Sequence, residues 1–228
     1  FGDGPGATWR AEKIWDDGAA TRFTIVGPDG RRWPAALPAP GTMNVANALG
    51  VVTLASAMGL SLEGVVAALA TFRGVKRRQE VIAEGRGITI IDDFAHHPTA
   101  VAGTLAALRT RYPKRRLWAL FEPRSNTTRR RVFQDAFAAA FAGADRVTFG
   151  AVHRRDQLPE SERLSVDALI AALGARGIAA ETCEDSEAIA ALVASQVESG
   201  DVVVLMSNGG FGGLAGKLVA ALELAPSS

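Results

Sequence analysis

From Gly87 onward the chain repeats one pattern. A short apolar run is followed by a polar or glycine-rich break, then by a segment with apolar residues at helical spacing. Strands are predicted at 87–92, 116–121, 145–149, 178–182 and 201–206, and helices at 99–111, 128–142, 165–174, 185–197 and 213–223. Alternation at this spacing leaves few folds open. It predicts an α/β domain whose mostly parallel, Rossmann-like sheet carries helices on both faces. Such sheets gather ligands beyond the carboxyl ends of their strands, so the loops after the strands should hold the chemistry.

Ahead of that repeat, residues 9–15, 22–26 and 31–37 read as short strands. Turn signals at Asp16-Asp17-Gly18 and Gly27-Pro28-Asp29-Gly30 separate them. Alanine-rich helices are predicted at 44–58 and 62–72. Residues 41–62 carry no charge, a length that raises the question of a membrane span. Asn44, Asn47, Gly50, Ser56 and Gly59 interrupt the run, and Gly59-Leu60-Ser61 reads as a helix stop followed by an N-cap. Two packed helices are expected instead. A boundary near 74–80 divides the chain into 1–74 and 75–228, the first part too small and open for a whole domain.

A net charge of +1 argues against a general nucleic-acid binder. The basic clusters at 76–78, 114–116 and 129–131 read as solvated faces or anion sites. The single Cys183 excludes an internal disulfide and suits a reducing compartment. The chain shows no secretory leader and starts at Phe1-Gly2. A cytoplasmic piece of a longer protein, with no membrane partner, is expected.

Three strand-end loops carry the candidate chemistry. In the first, the run Ile88-Thr89-Ile90-Ile91 stops at Asp92-Asp93 and passes through His96-His97 to Pro98, which opens a helix. The cluster invites a metal-hydrolase reading, but His153 is the only histidine left to complete it. The second loop is Ser207-Asn208-Gly209-Gly210-Phe211-Gly212-Gly213, whose glycines would let backbone N–H groups approach an anion. It is not a Walker A loop. Its Gly210-x-Gly212-x-x-Ala215 spacing fits a dinucleotide loop only loosely, and Ser207 lacks the G-x-S-x-G elbow of a hydrolase. The third is Phe121-Glu122-Pro123-Arg124-Ser125-Asn126-Thr127. Its arginine, hydroxyls and amide suit a carboxylate or phosphate, or else Asn126 or Thr127 merely caps the next helix. A further loop with His153 and Arg154 reads as a substrate contact or as a solvated charged turn. One strand-end edge should bring the first three loops together.

In order along the chain, Gly41-Thr42-Met43-Asn44-Val45-Ala46-Asn47, Gly74-Val75-Lys76-Arg77-Arg78-Gln79-Glu80 and Asp92-Asp93-Phe94-Ala95-His96-His97-Pro98 resemble the Mur ligase family. These are ATP-dependent enzymes that join amino acids or peptides to UDP-N-acetylmuramate. The loops at 122–127 and 207–213 are similar to the branch that reattaches a recycled murein tripeptide, L-alanyl-γ-D-glutamyl-meso-diaminopimelate, in peptidoglycan recycling. The branch that adds L-alanine is the alternative. Outside the family, a non-catalytic nucleotide- or anion-binding module remains open.

The resemblance implies that 1–74 is the C-terminal part of a central ATP-binding domain and 75–228 a Rossmann-like C-terminal ligase domain. The N-terminal UDP-binding domain, the G-K-T/S phosphate loop and the lysine that helps hold Mg²⁺ would lie elsewhere in the same protein. ATP and Mg²⁺ are the implied cofactors, with the main metal site outside this chain and no metal ligands within it. Asn44 and Asn47 match adenine contacts, Arg78 a hinge arginine, Asp93 a residue near the ribose, and His96 one facing phosphates and incoming substrate. Asp93 and His96 are the implied catalytic pair. Arg124, Ser125, Asn126, Thr127, Ser207, Asn208, Gly209, Gly210, His153 and Arg154 are the implied substrate contacts. Met43 departs from the histidine usual before the first asparagine. The implied reaction passes through an acyl phosphate, and this chain alone is expected to be inactive.

Overall fold

A computed structural model describes residues 1–2, 6–39 and 41–226. The chain divides into two compact units, Phe1–Gly74 and Val75–Ser228.

In the first unit, β1 (Arg10–Asp16), β2 (Thr21–Val26) and β3 (Arg32–Leu37) form an antiparallel sheet in that order. Alternate strand residues Phe23, Ile25, Trp33 and Leu37 are buried against Val45, Leu49, Val52, Val66 and Leu69. Those partners lie on α1 (Thr42–Ala57) and α2 (Leu62–Leu69). Gly59 adopts φ +74, the left-handed stop predicted for α1, and Ser61 caps α2 by accepting from the Gly64 N–H at 3.4 Å. The charge-free run is therefore two helices, and no described helix is long and apolar enough to cross a membrane.

The second unit contains β4 (Glu80–Gly85), β5 (Ile88–Asp93), α3 (Pro98–Arg111), β6 (Leu117–Phe121), α4 (Gln134–Ala140) and β7 (Arg146–Phe149). It continues with α5 (Val166–Gly174), β8 (Ala179–Thr182), α6 (Ser186–Gln196), β9 (Val202–Met206), α7 (Leu214–Ala221) and β10 (Ala225–Pro226). The seven-stranded sheet runs β10-β4-β5-β9-β6-β7-β8. Strands β5, β9, β6, β7 and β8 pair in parallel, and β4 and β10 add an antiparallel edge. The predicted mostly parallel α/β sheet is what the chain forms.

Period-two alternation sorts the strand residues between two cores. Leu117, Ala119 and Phe121 of β6 pack with α3, α4 and α5, whereas Trp118 and Leu120 pack with α6 and α7. Both faces are thus covered, and β9 is buried throughout, as a central parallel strand must be.

Two departures from the sequence prediction have physical causes. Strand β4, placed where a domain boundary is expected, pairs with β5 through a turn of Arg86 (φ 54°) and Gly87 (φ 78°). Two positive φ values in succession give a twist that suits a tight hairpin. The helix predicted over 128–142 is confined to α4 and the 3-10 turns on either side of it, Arg131–Phe133 and Phe141–Gly143. Ser125 and Thr128 instead close a turn on each other, with the Thr128 N–H donating to Ser125 Oγ at 3.1 Å. Such side-chain bonds compete with helix formation. Neither Asn126 nor Thr127 caps a helix.

Candidate functional site

Parallel pairing carries the loops after β5, β9 and β6 to one edge. The Ser207 N–H donates to the Asp93 carbonyl at 3.2 Å, and the Glu122 N–H donates to the Met206 carbonyl at 3.1 Å. The loop after β7 joins the row, because the His153 N–H donates to the Pro123 carbonyl at 3.1 Å. The predicted convergence of strand-end loops is present.

At the end of β5 the two aspartates differ. Asp93 is 3% exposed. Its Oδ1 accepts from the Ala95 N–H at 2.6 Å and Thr104 Oγ1 at 3.3 Å, and its Oδ2 from the Gln79 N–H at 2.8 Å. Burial pushes its carboxyl above the ordinary value despite these donors. Three donors fill most of the carboxylate's acceptor capacity, so a ribose contact through Asp93 falls to the remaining lone pair of Oδ2. Asp92 is less buried and accepts from Arg77 Nε at 3.1 Å. Burial raises its carboxyl too, and the Arg77 charge opposes that shift.

Arg77 also donates through Nη2 to the Ser207 carbonyl at 2.7 Å, so it ties β5 to the loop after β9. Arg78, the residue singled out in the sequence, has its guanidinium 5.2 Å from the Phe94 ring centroid; that of Arg77 is 5.5 Å away. His96 is half-buried, with Nδ1 2.9 Å from the Phe94 carbonyl. A carbonyl only accepts, so Nδ1 carries the proton and Nε2 is left for other chemistry. His97 is spent on structure. It caps α3 through Nδ1, which accepts from the Thr99 N–H at 3.4 Å, and its ring meets Phe133 edge to face.

The loops after β6 and β9 are clasped together. Ser207, 1% exposed, donates from Oγ to Glu122 Oε2 at 2.5 Å and accepts from the Gly209 N–H at 2.9 Å. Arg124 Nη1 donates to Glu122 Oε1 at 3.4 Å. Asn208 Oδ1 is buried without a hydrogen-bond partner. A cavity of about 210 Å³ opens beside this clasp, lined in part by Arg77, Asp92, Ser207, Gly209 and Gly210.

Arg129 belongs to a basic cluster that the sequence leaves as a solvated face or an anion site; at 9% exposure it is not solvated. Its Nη1 donates to the His153 and Arg154 carbonyls, each at 3.3 Å, and its Nη2 to Asn126 Oδ1 at 2.9 Å. Its Nε has no partner. Burial, with the positive charges of Arg124 and Arg154, holds the His153 imidazole below its ordinary value. This end of the site is cationic and suits an anion.

The structure therefore brings together Arg124, Ser207, Asn208 and Gly209, with His153 and Asn126 joined through Arg129. Ser125 is engaged with Thr128, and the exposed Thr127 side chain takes no part in the cluster. Asn44 and Asn47 lie three residues apart near the start of α1, in the first unit. Glu122, Arg77 and Arg129 were missed by the sequence reading. Among the described residues, no three His, Cys, Asp or Glu side chains form a metal-holding group.

Comparison with known proteins bears on this geometry. The family model described as "Mur ligase, glutamate ligase domain" matches residues 77–209. A UDP-N-acetylmuramate–L-alanine ligase from Roseiflexus sp. (strain RS-1) is 41% identical over 151 residues, covering 64% of this chain and 32% of the relative. The crystal structure of a murein peptide ligase from Psychrobacter arcticus is 33% identical with a TM-score of 0.70, over 97% of this chain and 45% of that one. The UDP-N-acetylmuramate–alanine ligase of Thermotoga maritima shares the fold, with a TM-score of 0.80 at 22% identity over 97% of this chain and 47% of that one. The chain spans about half the length of curated relatives matched over nearly all of it.

Proposed function

The chain belongs to the Mur ligase family, and from that premise we propose that the protein carrying it is an ATP-dependent ligase of peptidoglycan synthesis. It joins an amine to the carboxylate of UDP-N-acetylmuramate. The observation that carries this reading is the continuous row Asp92–Arg77–Ser207–Glu122–Arg124 along the strand-end edge. That row offers fixed donors and cationic charge where an α/β sheet receives its ligands.

In the proposed reaction, the muramyl carboxylate takes the terminal phosphoryl group of ATP, giving an acyl phosphate and ADP. The amine attacks the acyl carbon, and phosphate leaves from the tetrahedral adduct as the amine loses its proton. Such a sequence is carried by positioning and charge stabilisation. We assign His96 Nε2 to the phosphates or the incoming amine. Asp93 is assigned to fixing the backbone at Gln79 and Ala95, with Arg78 at the hinge beside it. Arg124 and the clasped loops are assigned to the amine substrate. In the first unit, read as the end of the ATP-binding domain, Asn44 and Asn47 are on one helix face and have donors and acceptors suited to an adenine edge.

Mur ligases use Mg²⁺ with ATP. The described residues offer no three-ligand group, and both Asp93 oxygens are engaged in the fold, so they do not fit a resident metal. The chain has no G-K-S/T phosphate loop, and turnover is assigned to the protein that supplies one. ATP and a UDP-linked sugar place the reaction in the cytoplasm.

L-Alanine is the amine that the curated relatives' names support better. A murein tripeptide is the second reading, favoured by 33% identity to a murein peptide ligase over nearly the whole chain. The positive charge around Arg124, Arg129 and Arg154 also suits a peptide with several carboxylates. Turnover by the full-length protein with each amine, in the presence of ATP and UDP-N-acetylmuramate, separates them. Use of L-alanine alone removes the tripeptide reading, and use of tripeptide alone removes L-alanine.

A further inference from the structure

Glu122 follows the fully buried run Leu117–Phe121, and its place at the strand end leaves it 8% exposed. A carboxylate in that position is costly unless its oxygens are paired. Both are. Oε2 accepts from Ser207 Oγ at 2.5 Å, and Oε1 accepts from Arg124 Nη1 at 3.4 Å. Ser207 Oγ in turn holds the Gly209 N–H at 2.9 Å, so one carboxylate governs two loops.

Gly209 completes the arrangement. A Cβ on it would overlap Cδ and Nε of Arg124, so the arginine lies across backbone that only glycine leaves open. The long Glu122 bond is the only hydrogen bond the Arg124 side chain makes among the described residues. Most of the guanidinium fork remains available for a bidentate carboxylate.

We propose that Glu122 is a positioning residue for the amine substrate, holding Arg124 across Gly209 while setting the loop after β9 beneath it. This deepens the function proposed above and rests on reading Arg124 as the contact for a carboxylate of the amine. Glu122 itself touches no reacting atom. Its charge fixes the direction of Arg124, and its second oxygen fixes the surface on which Arg124 lies.

The test is steady-state kinetics of the full-length ligase, measuring KM separately for ATP, UDP-N-acetylmuramate and the amine it turns over. Arg124→Ala is expected to raise the amine KM about tenfold, the scale of one charge-assisted hydrogen bond. Glu122→Gln keeps an acceptor for Ser207 but loses the charge facing Arg124, and is expected to raise the amine KM in the same direction. Gly209→Ala displaces the flexible end of Arg124 and leaves the core alone, so it decides the matter if Glu122→Gln does not fold. Added to Arg124→Ala, it should cost nothing further.

Amine KM raised alone, with the other two constants unchanged, supports the proposal. A rise in all three constants, or an additive Gly209→Ala effect, assigns Glu122 and Gly209 to structure only and overturns it. An Arg124→Ala effect without any from Glu122→Gln or Gly209→Ala also overturns it, while leaving the carboxylate reading intact. No effect from Arg124→Ala removes that reading, and the proposal with it.

Discussion

Ser207 Oγ donates to Glu122 Oε2 at 2.5 Å, joining the loop after β9 to the loop after β6 between two buried side chains. Ser207→Ala leaves the Glu122 oxygen and the Gly209 N–H without this partner. It is expected to cost about 1.5–3 kcal/mol, the worth of a hydrogen bond to a charged group. Urea unfolding of the chain should show a lower midpoint with an unchanged slope. An unaltered midpoint contradicts the clasp.

His153 offers a local probe of charge. Burial and the neighbouring Arg124 and Arg154 depress its imidazole, so NMR titration should place it below the ordinary 6.5. Arg124→Ala removes one of these charges and should move the value upward. A His153 that titrates normally, or is indifferent to Arg124, would show that the cationic end is not assembled.

Arg129 holds the loop after β7 by its bonds to the His153 and Arg154 carbonyls. Arg129→Met should speed amide hydrogen exchange around 153–154 while β6 and β7 keep their protection. Unchanged exchange there means the buried guanidinium does not order the loop.

The aspartates at the end of β5 give stability a defined pH dependence. Both carboxyls are raised from the ordinary 3.8, so between that value and their folded values the native state binds more protons than the unfolded chain. Stability from this source is full below 3.8 and is lost as pH rises through the folded values. Asp92→Asn retains an acceptor for Arg77 and removes one titrating group. Denaturation measured across the acid range should show a shallower fall with rising pH in the variant. Identical slopes contradict the assignment.

The alternation of apolar runs and helical segments after Gly87 made the parallel sheet legible, because buried strands must be apolar throughout and their crossover helices amphipathic. Convergence of the loops followed from topology. Strand β4 was hidden because its apolar run is only Val81-Ile82-Ala83, flanked by Glu80 and Glu84, and β10 because two residues carry no period. The helix over 128–142 failed locally, where Ser125 and Thr128 bond to each other. Arg77, Glu122 and Arg129 were not legible, since sequence shows a charge but not the partner that the fold brings to it. Asp93 was legible as a motif residue, while its three donors, Gln79, Ala95 and Thr104, come from separate segments.

Amine-dependent release of ADP and phosphate by the full-length protein, with UDP-N-acetylmuramate as acceptor, tests the central claim most directly. The account predicts a new amide product from L-alanine or the murein tripeptide, and an Arg124→Ala variant whose KM rises for that amine and not for ATP. Absence of product with either amine would contradict it, as would an Arg124→Ala variant with an unchanged amine KM.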